Sequence, residues 1–204
     1  MREWMSELKL LLVATRNSHK TQEIAAMLKQ RFVVKDLSGV SGAPEIEETG
    51  ETFSENAALK AVGISKVVPG LVLADDSGLE VDALGGAPGV HSARYAGTQG
   101  DDAANNVKLV GALQEVDETA RTGRFRCVMV LARDGEVLAE FDGALSGTLI
   151  DKARGNEGFG YDPLFVPQGF AETFAELGPE IKNQLSHRAR ALEKMVEWLD
   201  AASL

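Results

Sequence analysis

The stretch Lys9 to Thr15, KLLLVAT, is apolar at every position between its ends, and no other feature narrows the fold as much. A strand with one wet face alternates apolar and polar residues, whereas an unbroken apolar run of strand length is the pattern of a strand covered on both faces. Helices must supply that cover, and one is expected at once. Ser18 can cap it, and Ile24, Met27 and Leu28 recur at helical spacing before Arg31 to Leu37 (RFVVKDL) reads as a second strand. The chain opens as strand, helix, strand.

Ser38 to Gly50 reads as a loop, and Thr52 with Glu55 forms a capping box ahead of a second helix that carries Phe53, Ala57, Leu59, Ala61 and Val62 and runs to about Lys66. Leu71 to Ala74 reads as a short buried strand ending at Asp75-Asp76-Ser77-Gly78, which sets polar residues at the strand end where open α/β sheets take ligands. A Gly- and Pro-rich loop, Gly85 to Gly100, leads to a third helix capped by Asp101, with Val107, Leu109, Val110 and Leu113 inward. Asp134-Gly135 between Arg124–Arg133 and Glu136–Ile150 is a type I′ hairpin signal. Pro163 to Val166 reads as a short strand. Pro179 then opens one C-terminal amphipathic helix using Ile181, Leu185, Leu192, Met195, Val196 and Leu199. No internal repeat or linker interrupts residues 1–204, so a single α/β domain with a mixed sheet is expected, with room for two lobes sharing a cleft.

Charge limits what such a domain can bind. A formal net charge of -10 opposes a nucleic-acid backbone, whose affinity rests on clustered cations; a single nucleotide needs only a local cationic pocket. Cys127 is the one cysteine and lies in the apolar run Phe125 to Leu131, which excludes an intramolecular disulfide and reads as a buried thiol in a reducing compartment. Leu10 to Ala14, flanked by Glu3, Glu7, Lys9 and Arg16, is too short and too charged for a leader or a membrane span. A cytoplasmic protein without a membrane partner is expected.

Several polar groups have a chemical reading beside a structural one. Thr15-Arg16-Asn17-Ser18-His19-Lys20 lies where a strand becomes a helix, so helix N–H groups, hydroxyls and Lys20 can hold phosphate oxygens; the plain alternative is a capped helix with a solvated lysine. Glu47-Glu48 and Asp75-Asp76 are hard oxygen ligands of the sort Mg²⁺ takes, and one member of each pair should face the site while its neighbour points away. The alternative for such pairs is a turn or cap. Asn56 and Lys60, four apart, share a helix face. Gly155, Gly158 and Gly160 flank Phe159 ahead of Tyr161-Asp162-Pro163, which can hold an aromatic ring against a ligand or serve as a turn with a core Phe. Lys182, Ser186, His187 and Arg188 gather donors at the start of the last helix. Donors match the 6-oxo group of a purine and clash with the 6-amino group of adenine.

In series, ATRNSHK, GETFSENAALKA, LADDSGLEVDALGGAPGVHSARYAG, GFGYDPLF and SHRARAL resemble the inosine/xanthosine triphosphate pyrophosphatase family nearly end to end. The resemblance implies an elongated α/β fold, with a long mixed sheet and a cleft between two lobes, usually paired as a homodimer. It implies hydrolysis of ITP, dITP and XTP to the monophosphate and pyrophosphate. Thr15 to Lys20 match the triphosphate-binding segment, Glu48 and Asp76 the magnesium ligands, Asp76 the catalytic base, and Lys60 and Ser77 substrate contacts. Phe159, Gly160, Tyr161 and Asp162, with Lys182, His187 and Arg188, match nucleoside-recognition positions. Arg16 and Ala189 depart from the pattern, standing where glycine is common. Asp75 or Glu48 remains an alternative base. The rival functions are a pyrophosphatase for pyrimidine or modified nucleotides and a nucleotide-binding sensor without turnover.

Overall fold

The computed structural model describes residues 8–202; Glu3 and Glu7, two of the charges set against a leader, lie outside them. Among the described residues six strands form one mixed sheet: β1 (Lys9–Val13), β2 (Phe32–Asp36), β3 (Leu71–Val81), β4 (Thr122–Arg133), β5 (Glu136–Leu149) and β6 (Phe165–Pro167). Five helices accompany them: α1 (Ser18–Leu28), α2 (Phe53–Ser65), α3 (Asp102–Ala112), α4 (Phe174–Leu185) and α5 (His187–Ala202). The strand order is β2-β1-β3-β4-β5-β6. β1 pairs in parallel with both β2 and β3, and every later pairing is antiparallel.

The apolar run behaves as its composition requires. Leu11 and Val13 pack on one face with Ile24 and Leu28 of α1 and Ala191, Leu192, Met195 and Leu199 of α5. Leu12 and Ala14 pack on the other with Phe53, Ala57, Ala61 and Ile64 of α2. A third apolar group fills the far end of the sheet, where Leu79, Val81, Phe125 and Leu149 meet Leu109, Leu113, Phe165 and Phe174. The α/β class with an extended mixed sheet is what the residues led one to expect. Among the described residues no helix is long and apolar enough to cross a membrane.

Local signals held where they were chemical. Thr52 and Glu55 close the capping box on α2, Asp101 caps α3, and Asp134 and Gly135 both take positive φ (55° and 84°) in the β4–β5 turn. Four expectations need correction. Asn17 rather than Ser18 caps α1, its Oδ1 accepting from the N–H groups of His19 and Lys20. β3 does not end at Ala74 but continues to Val81, because all of Asp75 to Gly78 finds antiparallel partners on β4. Val107 on α3 is 74% exposed, since it is Leu109, Val110 and Leu113 that meet the third apolar group. The C-terminal helix is two helices: the chain is helical from Phe174, turns at Gly178 (φ 76°), and breaks at Ser186, whose extended backbone (ψ 163°) separates α4 from α5.

Candidate active site

Position on β3 decides what each carboxylate can do. Successive side chains on a strand point to opposite faces, so Asp75 and Asp76 part company. Asp76 faces α2, where Lys60 Nζ stands 3.1 Å from Asp76 Oδ1, 3.1 Å from Glu48 Oε1 and 2.9 Å from the Asp75 carbonyl oxygen. Asn56, one turn before Lys60, donates to Asp76 Oδ2 at 3.4 Å and accepts from the Gly50 N–H at 2.8 Å, which ties the loop carrying Glu48 to α2. Three oxygens thus converge on one cation.

Asp75 faces α1 and α5 and is enclosed. Arg188 donates to its Oδ2 at 2.9 Å, and Lys20 Nζ lies 3.1 Å from Oδ1, close enough for an ion pair though not aligned as a hydrogen bond. Burial alone would push this carboxyl up, but Lys20, Arg188 and Lys60 outweigh it and hold it well below the usual carboxylate range. For Asp76 the balance is reversed: burial is opposed by Lys60 and Lys20, helped by Glu48, and leaves the carboxyl above its ordinary value. Lys60 is buried too, yet Asp76, Glu48 and Asp75 more than offset that and keep it charged.

A second cluster lies where α1, α4, α5 and the Phe159 loop meet. Lys182 Nζ contacts Glu23 Oε1 at 2.8 Å and Asp162 Oδ2 at 2.5 Å, and stands 4.4 Å from the centre of the Phe159 ring. Arg188 spans both clusters, with Glu23 at 2.5 Å, Asp75 and the Ser77 hydroxyl at 2.9 Å each. His187 stacks on Phe125, with ring centres 4.9 Å apart, and its Nδ1 has no partner among the described residues. Burial, then the charges of Arg188 and Lys182, holds its pKa well below the usual imidazole value, so the ring is neutral at pH 7.

One cavity of about 1270 Å³ joins the clusters. Thr15 to Lys20, Glu48, Lys60, Asp76, Ser77, Phe159 to Asp162, Lys182, His187 and Arg188 all line it, whereas Asn56, Asp75 and Ser186, also singled out in the sequence, are buried and do not. Lys182 and Ser186 belong to the end of α4, not to the start of the last helix. Neither glycine-replacing residue is strained: Arg16 does not share the positive φ that Asp134 alone shows among described non-glycine residues, and its guanidinium donates to the Ala43 carbonyl at 3.1 Å. Ala189 donates its N–H to Ser186 Oγ. Glu23 was missed, although it is the hub between Lys182 and Arg188. Its spacing held a clue, since it follows His19 by four and Lys20 by three on one helix face. Burial of Cys127, reinforced by the Asp75 charge, pushes its thiol up and leaves it inert.

An α/β sheet with carboxylates and ammonium groups at one end of a cleft, and an aromatic ring among buried donors at the other, defines a nucleotide-handling enzyme. The chain belongs to the Ham1 family, whose model matches residues 11–198. A dITP/XTP pyrophosphatase from Bacillus licheniformis is 46% identical over 196 residues, covering 96% of this chain and 100% of the relative. Another from Geobacillus kaustophilus is 48% identical over 191 residues, covering 93% and 94%. The solved structure of a HAM1 protein from Coxiella burnetii matches with a TM-score of 0.84 at 39% identity, over 95% of this chain and 100% of that one.

Proposed function

We propose that the chain hydrolyses ITP, dITP and XTP to the nucleoside monophosphate and pyrophosphate, clearing deaminated purines from the nucleotide pool. The observation that carries this reading is the single cleft with a carboxylate and ammonium pole at one end and a ring-and-donor pole at the other. A triphosphate needs the first and a nucleobase the second.

Lys20, at the head of α1, and Lys60 neutralise phosphate charge, with the helix N-terminus adding its own partial positive charge. The three oxygens gathered on Lys60 Nζ fit a divalent cation as well as an ammonium, and all are hard donors. Glu48 and Asp76 would hold Mg²⁺, with phosphate oxygens and water completing its shell. When bound, Mg²⁺ supplies charge neutralisation on the phosphates. Of the candidate bases, Asp75 is the weakest, being enclosed and held strongly acidic by its cations. Asp76 lies in the cleft, and burial raises its pKa above the ordinary carboxylate value, the direction a general base needs. It takes the proton of the water that attacks the α-phosphorus, and pyrophosphate leaves.

At the other pole Phe159 offers a stacking face. Lysine has three donors; Glu23 and Asp162 use two of those of Lys182, leaving one for a substrate oxygen. Arg188 Nε, without a partner among the described residues, is a further donor. Donors facing the 6-position suit a 6-oxopurine and oppose the amino group of adenine. The same reading takes the protein as a cytoplasmic homodimer, with a mass in solution twice that of one chain. Turnover of ITP in ¹⁸O-labelled water tests the chemistry: the label should enter inosine monophosphate, and label in pyrophosphate would place attack at the β-phosphorus and refute it.

A further inference from the structure

The face of Phe159 is already taken. His19, in the first turn of α1, lies on it with ring centres 5.3 Å apart and planes within 16°, a stacked arrangement at ordinary aromatic distance. The two rings are not held equally. Phe159 is anchored from the core side: its N–H donates to Asp162 Oδ2 at 2.9 Å, and the next residue, Gly160, donates to Asp102 Oδ2 at 2.7 Å and accepts from Asn106 at 2.9 Å. The Lys182 ammonium also abuts the Phe159 ring. His19 is exposed, and its bond in this region is made by the backbone, N–H to Asn17 Oδ1 at 3.0 Å. If one ring must give way, it is the imidazole.

We propose that His19 caps the base subsite in the resting enzyme and surrenders the face of Phe159 to the incoming nucleobase, one ring replacing another. This rests on the purine-nucleotide reading above. A flat ring system is the chemical class that can make the exchange, because it regains on Phe159 the stacking that His19 gives up. Phosphate groups alone cannot. His19 is therefore a positioning residue that sets the threshold for occupancy of the base site.

The chain has three histidines, so their ring C–H signals can be followed by proton NMR, with His19→Ala identifying the set that disappears. In the free protein the His19 signals should lie upfield, shifted by the Phe159 ring current, and Phe159→Ala should abolish that displacement. Saturating inosine monophosphate should move them towards free-imidazole positions, and pyrophosphate alone should leave them in place. Signals that stay put while calorimetry shows the monophosphate bound, or that move with pyrophosphate alone, overturn the capping role and leave the proposed activity standing. An upfield shift that survives Phe159→Ala also overturns the role. Failure of inosine monophosphate to bind overturns both.

Discussion

At the scale of single residues, the site depends on two neighbouring aspartates being made different. Asp76 is the cleft carboxylate and Asp75 the buried counter-ion of Lys20 and Arg188. Asp76→Asn should lower turnover by about 10² to 10⁴, the usual weight of a general base, while circular dichroism and melting stay near wild type; near-normal turnover would remove Asp76 from its role. Asp75→Asn should instead act on stability, by about 3–5 kcal/mol at pH 7, because it leaves buried cations uncompensated. A carboxyl whose folded pKa is lowered contributes stability that is full above its ordinary value and fades as pH falls through its lowered one. The melting-temperature gap between wild type and Asp75→Asn should therefore be widest near neutrality and shrink on acidification below about pH 4. A gap that grew in acid would contradict the assigned ion pairs. The alternation of Asp75 and Asp76 was legible in the sequence; the link from Glu23 to Lys182 and Arg188 was not, because its partners are more than 150 residues away in the chain.

At the scale of elements, what was legible was what short-range chemistry decides: the doubly covered β1, the capping box on α2, the Asp-Gly hairpin. One misreading, the early end given to β3, comes from tertiary pairing that overrides local polarity. Asp75 to Gly78 look like a strand's end but are drawn into β3 by β4, and Gly78 lets the neighbouring 3-10 segment Gly89–Arg94 close over the strand. A Cβ at Gly78 would stand 2.4 Å from Ser92 Oγ and 2.5 Å from the Gly89 carbonyl oxygen. Gly78→Ala should cost about 1–3 kcal/mol as an overpacked contact, and because Ser77 adjoins it, pyrophosphate release should fall along with the melting temperature. An unchanged melting curve would show that the segment can move aside freely. The break at Ser186 has a functional consequence, since it lets α4 bring Lys182 and α5 bring Arg188 onto the one Glu23.

For the whole molecule, the cleft exists because segments far apart in the chain end at one place: the β1–α1 turn, the Glu48 loop, the middle of β3, the Phe159 loop and the α4–α5 junction. Each could be picked out in the sequence as a cluster with a bland rival reading, and their convergence raises the chemical one. Register and helix packing create that convergence, which is why the network joining Asp75, Arg188, Glu23 and Lys182 became visible only in three dimensions. The most direct test of the account is pyrophosphate release by the purified protein from ITP, XTP, GTP, ATP and dTTP, each with and without Mg²⁺. The account predicts Mg²⁺-dependent release that strongly favours ITP and XTP; preferential release from dTTP, or release from none of the five, would contradict it.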